Sequence, residues 1–178
     1  MKTYGFRSVD EARTMLAKLG APPRLVRHVV LVGEAAELLV DAMTKLGVPL
    51  DAHFVRLGVA FHDAGKIQHL SELAGPGREH EPSGQALLLS AGIDAAVARC
   101  CMSHARWADM ETSFEELLVA LADTLWKGKR NAVLEKRVVE GAAARVGRPF
   151  WDLFVPLDTQ FEEIAGGGSG RLARSVEG

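Results

Sequence analysis

The chain has 178 residues, enough for one domain with a real core, and its 48% hydrophobic composition is that of a globular protein rather than a disordered one. With 21 basic against 23 acidic residues the net charge is −2, so the chain as a whole offers no polycationic surface to an extended nucleic acid. The only cysteines, Cys100 and Cys101, are adjacent, which excludes a disulfide framework and a zinc finger and fits a reducing compartment. No apolar run approaches the ~20 residues of a spanning helix, and the first ten residues hold no signal-peptide core. The expectation is a soluble, cytoplasmic protein without membrane contact.

Taken in order, the chain reads as all-α. Ser8 followed by Glu11 has capping-box spacing and starts a helix that runs to about Leu19, before Gly20. Pro22-Pro23 restarts the chain into a second helix to about Leu46, where Leu25, Val29, Val32, Ala36, Leu39, Val40 and Met43 recur at helical spacing; His28 lies beside this apolar face. Gly47 stops it. A third helix, capped by Asp51, carries the apolar run Phe54 to Phe61 into His62-Asp63-Ala64-Gly65-Lys66. Adjacent polar groups at the end of a buried helix need compensation, and a bound metal ion is one form of it.

Residues 71–78, with Gly75-Pro76-Gly77, read as a loop, and a fourth helix spans about Glu79 to Ala91 with Pro82 in its first turn. His80 sits at the positive end of that helix, where the dipole favours a neutral imidazole. Asp94 caps a fifth helix, Ala95 to about His104, and residues 105–112 form a second loop. Ser113 with Glu116 opens a helix to about Lys127 in which Asp123 falls among Leu117, Leu118, Leu121 and Leu125. Helices over 131–146 and 150–164 finish the domain, with Trp151, Phe154 and Phe161 as the packing face of the last. Residues 1–165 are read as the domain and 166–178 as a flexible, glycine-rich tail.

The polar residues that stand out are, in order, His28, His62-Asp63, His80, His104 and Asp123, each near a helix end or on an apolar helix face. This ordered set, with His-Asp-Ala-Gly-Lys at 62 to 66, resembles the HD-domain superfamily over about Leu25 to Arg130. The resemblance implies a bundle of about seven to eight helices around a central metal site, with hydrolysis of phosphate esters as the common activity. It places His28, His62, Asp63 and Asp123 as ligands of a first divalent ion. His80 and His104 match the two extra histidines of members with a second ion, bridged by Asp63. No Gly-Tyr-Pro follows the loop, which disfavours the cyclic-di-GMP type. Members with the six-ligand pattern include dinucleoside-polyphosphate hydrolases and cyclic-dinucleotide phosphodiesterases.

The chemistry agrees with that expectation. Imidazole and carboxylate donors suit one or two of Mn, Fe, Co, Ni, Zn or Mg, and such ions activate water and neutralise a phosphoryl group. Asp63 and Lys66 are the catalytic candidates; for Lys66 a phosphate contact, a hold on Asp63 and a solvated lysine at a helix end all stay open. Arg106, Lys127, Lys129 and Arg130 could rim a site for a phosphorylated small molecule, a nucleotide above all, although a solvated basic run explains them too. Glu81 could orient a histidine or simply favour the helix dipole. His53 reads as a surface or core residue, and His69 has only its proximity to the motif. The alternative function is a non-catalytic metal- or nucleotide-binding sensor or scaffold of the same fold. A nuclease is disfavoured by the acidic balance. The apolar last helix could serve a homodimer or cap the bundle.

Overall fold

The computed structural model describes residues 2–176, and every regular element in them is helical. Helix α1 spans Val9–Lys18; the Ser8 hydroxyl accepts from the Glu11 amide, while the Glu11 carboxylate turns back to the Arg7 amide, so only half of the capping box forms. Helix α2, Pro23–Lys45, buries the seven apolar residues named for it together with Leu31, Ala35 and Ala42. Its end is shaped by Gly47, at φ 73°.

Helix α3, Ala52–Phe61, is the centre of the bundle. The Asp51 carboxylate accepts from the Phe54 amide at 3.0 Å and starts it, and its residues other than Ala52 and Arg56 are buried. Helices α1, α2 and α7 (Phe114–Leu125) pack around it, and α7 opens with a complete capping box between Ser113 and Glu116. Beyond Phe61 the chain tightens into two 3-10 turns, Ala64–Ile67 and Leu70–Leu73; the second occupies part of the expected loop.

Helix α4 covers His80–Ser90. The single helix expected over 95–104 is two, α5 (Ala95–Ala98) and α6 (Cys100–Arg106). The chain tightens at Arg99, whose carbonyl accepts from Met102, three residues on, at 2.9 Å. Helix α8, Ala132–Val146, is capped by Asn131, and α9, Phe150–Gly166, packs through Leu153, Leu157, Phe161 and Ile164. Trp151 does not join that face: it is 70% exposed and rests edge-on against Phe150 and Phe154.

The expected flexible tail is the largest departure. Most of it is a tenth helix, α10 (Gly168–Ser175), and positions 177 and 178 of that expectation lie outside the described residues. Glycine here serves close approach rather than freedom, since a Cβ on Gly168 would stand 2.2 Å from the Gly128 amide nitrogen. Arg171 is buried at 5% exposure and donates to the carbonyls of Trp126 at 2.8 Å and Ile164.

Gly65 fixes how the first 3-10 turn meets α4. A Cβ there would fall 1.8 Å from the His80 carbonyl oxygen and 2.6 Å from the Gly84 amide nitrogen, both backbone atoms that cannot turn aside. Gly65→Ala is therefore expected to destabilise the fold by about 3 kcal/mol or more, measured by urea denaturation.

Candidate metal centre

Five segments converge on one point: α2 brings His28, the end of α3 brings His62 and Asp63, α4 brings His80, α6 brings His104 and α7 brings Asp123. Asp63 is the hub, and its two oxygens face different partners. Oδ2 lies 3.0 Å from His28 Nε2 and 3.6 Å from His62 Nε2, and Asp123 Oδ1 closes that side at 3.4 Å from His62 Nε2 and 3.7 Å from His28 Nε2. Oδ1 lies 3.3 Å from His80 Nε2 and 3.7 Å from His104 Nε2.

The imidazoles are held from behind. His62 Nδ1 meets the Val59 carbonyl at 2.8 Å, His104 Nδ1 meets the Cys100 carbonyl at 3.0 Å, and His80 Nδ1 meets the Glu72 carboxylate. When Nδ1–H donates to these oxygens, Nε2 is left as a lone-pair donor directed at the centre. His28 packs edge-on against Trp126, with ring centroids 4.9 Å apart.

Burial and charge pull against one another. Burial favours the protonated form of Asp63, yet the surrounding imidazoles, His62 foremost, hold its pKa well below the ordinary carboxylate value. Desolvation likewise opposes the charge on Asp123, and His62, then Lys127, draw its pKa down against it. Burial opposes a charged His62, but Asp63 and Asp123 outweigh it and raise its pKa. Burial, with His62 close by, pushes His104 down to about 4. For His80 burial disfavours the proton, but the Asp63 and Glu72 carboxylates raise the pKa, opposite to the direction in which the helix dipole acts.

The residues fit a divalent cation. His28 Nε2 and His62 Nε2 are 3.3 Å apart, too close for two facing lone pairs without a proton or cation between them. Asp63 Oδ1 is buried and accepts no hydrogen bond among the described residues. The donors are nitrogen and oxygen. Cys100 and Cys101 stay out of the set as protonated thiols raised by burial, the second bonded to the Phe61 carbonyl at 3.2 Å.

The centre opens into a cleft of about 470 Å³, and the basic residues divide over it in a way the sequence did not announce. Lys66 lies over the hub, its Nζ 2.7 Å from Asp63 Oδ2. Lys127 lines the cleft 3.7 Å from Asp123 Oδ2. Arg106 does not line it and pairs instead with the buried Glu81, which orients this guanidinium rather than a histidine. Lys129 is exposed away from the cleft, and Arg130 is bound by Glu135 and Asp158. His53 is a buried core residue hydrogen-bonded to the Phe6 carbonyl at 2.8 Å, and His69 does not reach the cleft.

Sequence reasoning missed Arg24, Arg78 and Glu72. Arg24 stands four residues before His28, the spacing that puts two side chains on one helix face, so a signal for it existed. Arg78 and Glu72 come from an irregular stretch without periodicity and gave none. Neither Arg24 nor Arg78 has a carboxylate partner among the described residues.

No described helix is long and apolar enough to cross a membrane. Comparison with curated proteins returned no match, and neither did comparison with solved structures. The family model for the HD domain matches residues 25–126, a span that includes His28 and Asp123 near its two ends and every other residue of the cluster between them. That span is more than half of the sequence, and the chain belongs to the HD domain family.

Proposed function

We propose that this chain is a metal-dependent phosphohydrolase that cleaves a phosphate ester or anhydride of a nucleotide. The observation that carries the reading is the division of histidines between the two oxygens of Asp63, with His28 and His62 toward Oδ2 and His80 and His104 toward Oδ1. On this reading His28, His62, Asp63 and Asp123 hold one divalent ion, and Asp63, His80 and His104 hold a second. Bound there, such ions supply a water acidified toward hydroxide and positive charge opposite the phosphoryl oxygens.

The remaining work falls to the chain. Lys66 orients Asp63 through its contact with Oδ2, and the same ammonium is within reach of an anion entering from the cleft. Arg24 and Arg78, with no carboxylate partner among the described residues, are the groups for phosphate oxygens farther from the centre. Leu73 and Trp126 line the same cleft and give a nucleoside an apolar surface.

Elemental analysis of desalted, Mn²⁺-loaded protein tests the ligand assignment. Wild type is expected to retain two equivalents, Asp63→Ala none, and His104→Ala one; two equivalents in His104→Ala would contradict the assignment. A pH series tests the protonation states. The pKa values of His62 and His80 are raised above the ordinary histidine value, so protons compete with the ion there, and Mn²⁺ affinity should rise as pH climbs through and above the ordinary histidine range, with protons released on binding. His104, at about 4, has no proton to give in that window. Calorimetry in buffers of different ionisation enthalpy measures the release. In steady-state kinetics Lys66→Ala should lower kcat at least tenfold with metal content retained, whereas Arg78→Ala should mainly raise KM.

A further inference from the structure

Helix α10 lies outside the stretch matched by the family, yet it closes one side of the cleft: Leu172 and Ser175 line it together with His28, Asp63 and Trp126. Two features hold α10 there. The Arg171 guanidinium donates to the carbonyls of Leu125 at 3.4 Å, Trp126 at 2.8 Å and Ile164, and so satisfies acceptors at the C-terminal ends of α7 and α9 that have no intrahelical partner. Arg174 forms a two-pronged pair with Glu34 of α2, at 2.7 and 2.6 Å. Residues 171 and 174 are three apart and share a face; 172 and 175, also three apart, form the adjacent stripe. One stripe ties α10 to α7 and α2, the helices that carry Asp123 and His28, and the next stripe is thereby presented to the cleft.

Leu172 is 42% exposed and is not part of the buried core. It places a branched apolar side chain on the wall of a cleft whose lining is otherwise rich in histidines, carboxylates and cations. We infer that Leu172 is a specificity-determining residue that receives the nucleoside end of the substrate while the phosphates face the His/Asp centre. The inference rests on the phosphohydrolase reading and adds to it a recognition element from outside the HD domain proper. Leu73 and Trp126 line the same cleft, so its apolar lining comes from three separate parts of the chain.

The test compares two non-hydrolysable ligands with the same anionic head, α,β-methylene-ADP and methylenediphosphonate, by calorimetry on the Mn²⁺-loaded full chain. Leu172→Asp is expected to weaken α,β-methylene-ADP at least tenfold and methylenediphosphonate less than threefold. Leu172→Ala, which introduces no charge, should weaken α,β-methylene-ADP several-fold and leave methylenediphosphonate unchanged. Equal losses for both ligands, or none for either, overturn the role of Leu172 alone. Failure of wild type to bind either ligand overturns the phosphohydrolase reading and this inference with it. Circular dichroism of the variants separates a lost contact from a lost helix, and loss of helical signal in Leu172→Ala would likewise overturn a role confined to recognition.

Discussion

A carboxylate with 2% of its residue exposed, set among four imidazoles, is the constraint around which the rest of the molecule is arranged. Burying such a charge costs several kcal/mol unless it is paired, and pairing with only one neighbour would leave half of its acceptor capacity empty. The fold surrounds Asp63 on both oxygens and adds Lys66 from the following turn. That requirement explains why α3 is buried along almost its whole length, why the chain tightens into a 3-10 turn directly after it, and why α4 comes close enough to touch that turn backbone to backbone.

Around this hub the chain separates holding from recognition. The backbone carbonyls of Val59 and Cys100 and the carboxylate of Glu72 fix imidazoles from behind, so orientation is set by helices and turns already packed for other reasons. Arg106, Arg130 and Arg171 are spent on structure, bound to carboxylates or carbonyls. Among the described residues Arg24 and Arg78 have no such carboxylate partner, and both stand on the cleft. A basic residue's place in sequence therefore says less about its role than whether an acceptor already claims it.

Helix α2 was legible from its hydrophobic period, α3 from its cap and apolar run and α7 from its capping box and leucine stripe, and the six residues of the centre were legible because each lies near a helix end or on an apolar helix face. What could not be read depended on contacts distant in sequence. The run Gly166-Gly167-Gly168 carries the composition of a free tail, and only the approach of Gly128 and the carbonyls waiting for Arg171 turn it into a packed helix. Arg106 looked available until Glu81 was seen beneath it. Trp151 looked like core because aromatic residues usually are, and it lies on the outside. The break at Arg99 arises from a local tightening that the smooth apolar pattern of 95–104 does not encode.

The cluster begins at position 28 and ends at position 123, with its other members spaced between them. During synthesis, then, the nascent chain exposes His28, His62, Asp63, His80 and His104 well before Asp123 and the helix that carries it have been made. The Oδ1 side of the hub draws on residues 63, 80 and 104, whereas the Oδ2 side needs residue 123 as well, and α7, which carries it, also packs against α3 and α6. The last member of the centre to be made therefore arrives on the helix against which the elements holding Asp63 and His104 pack.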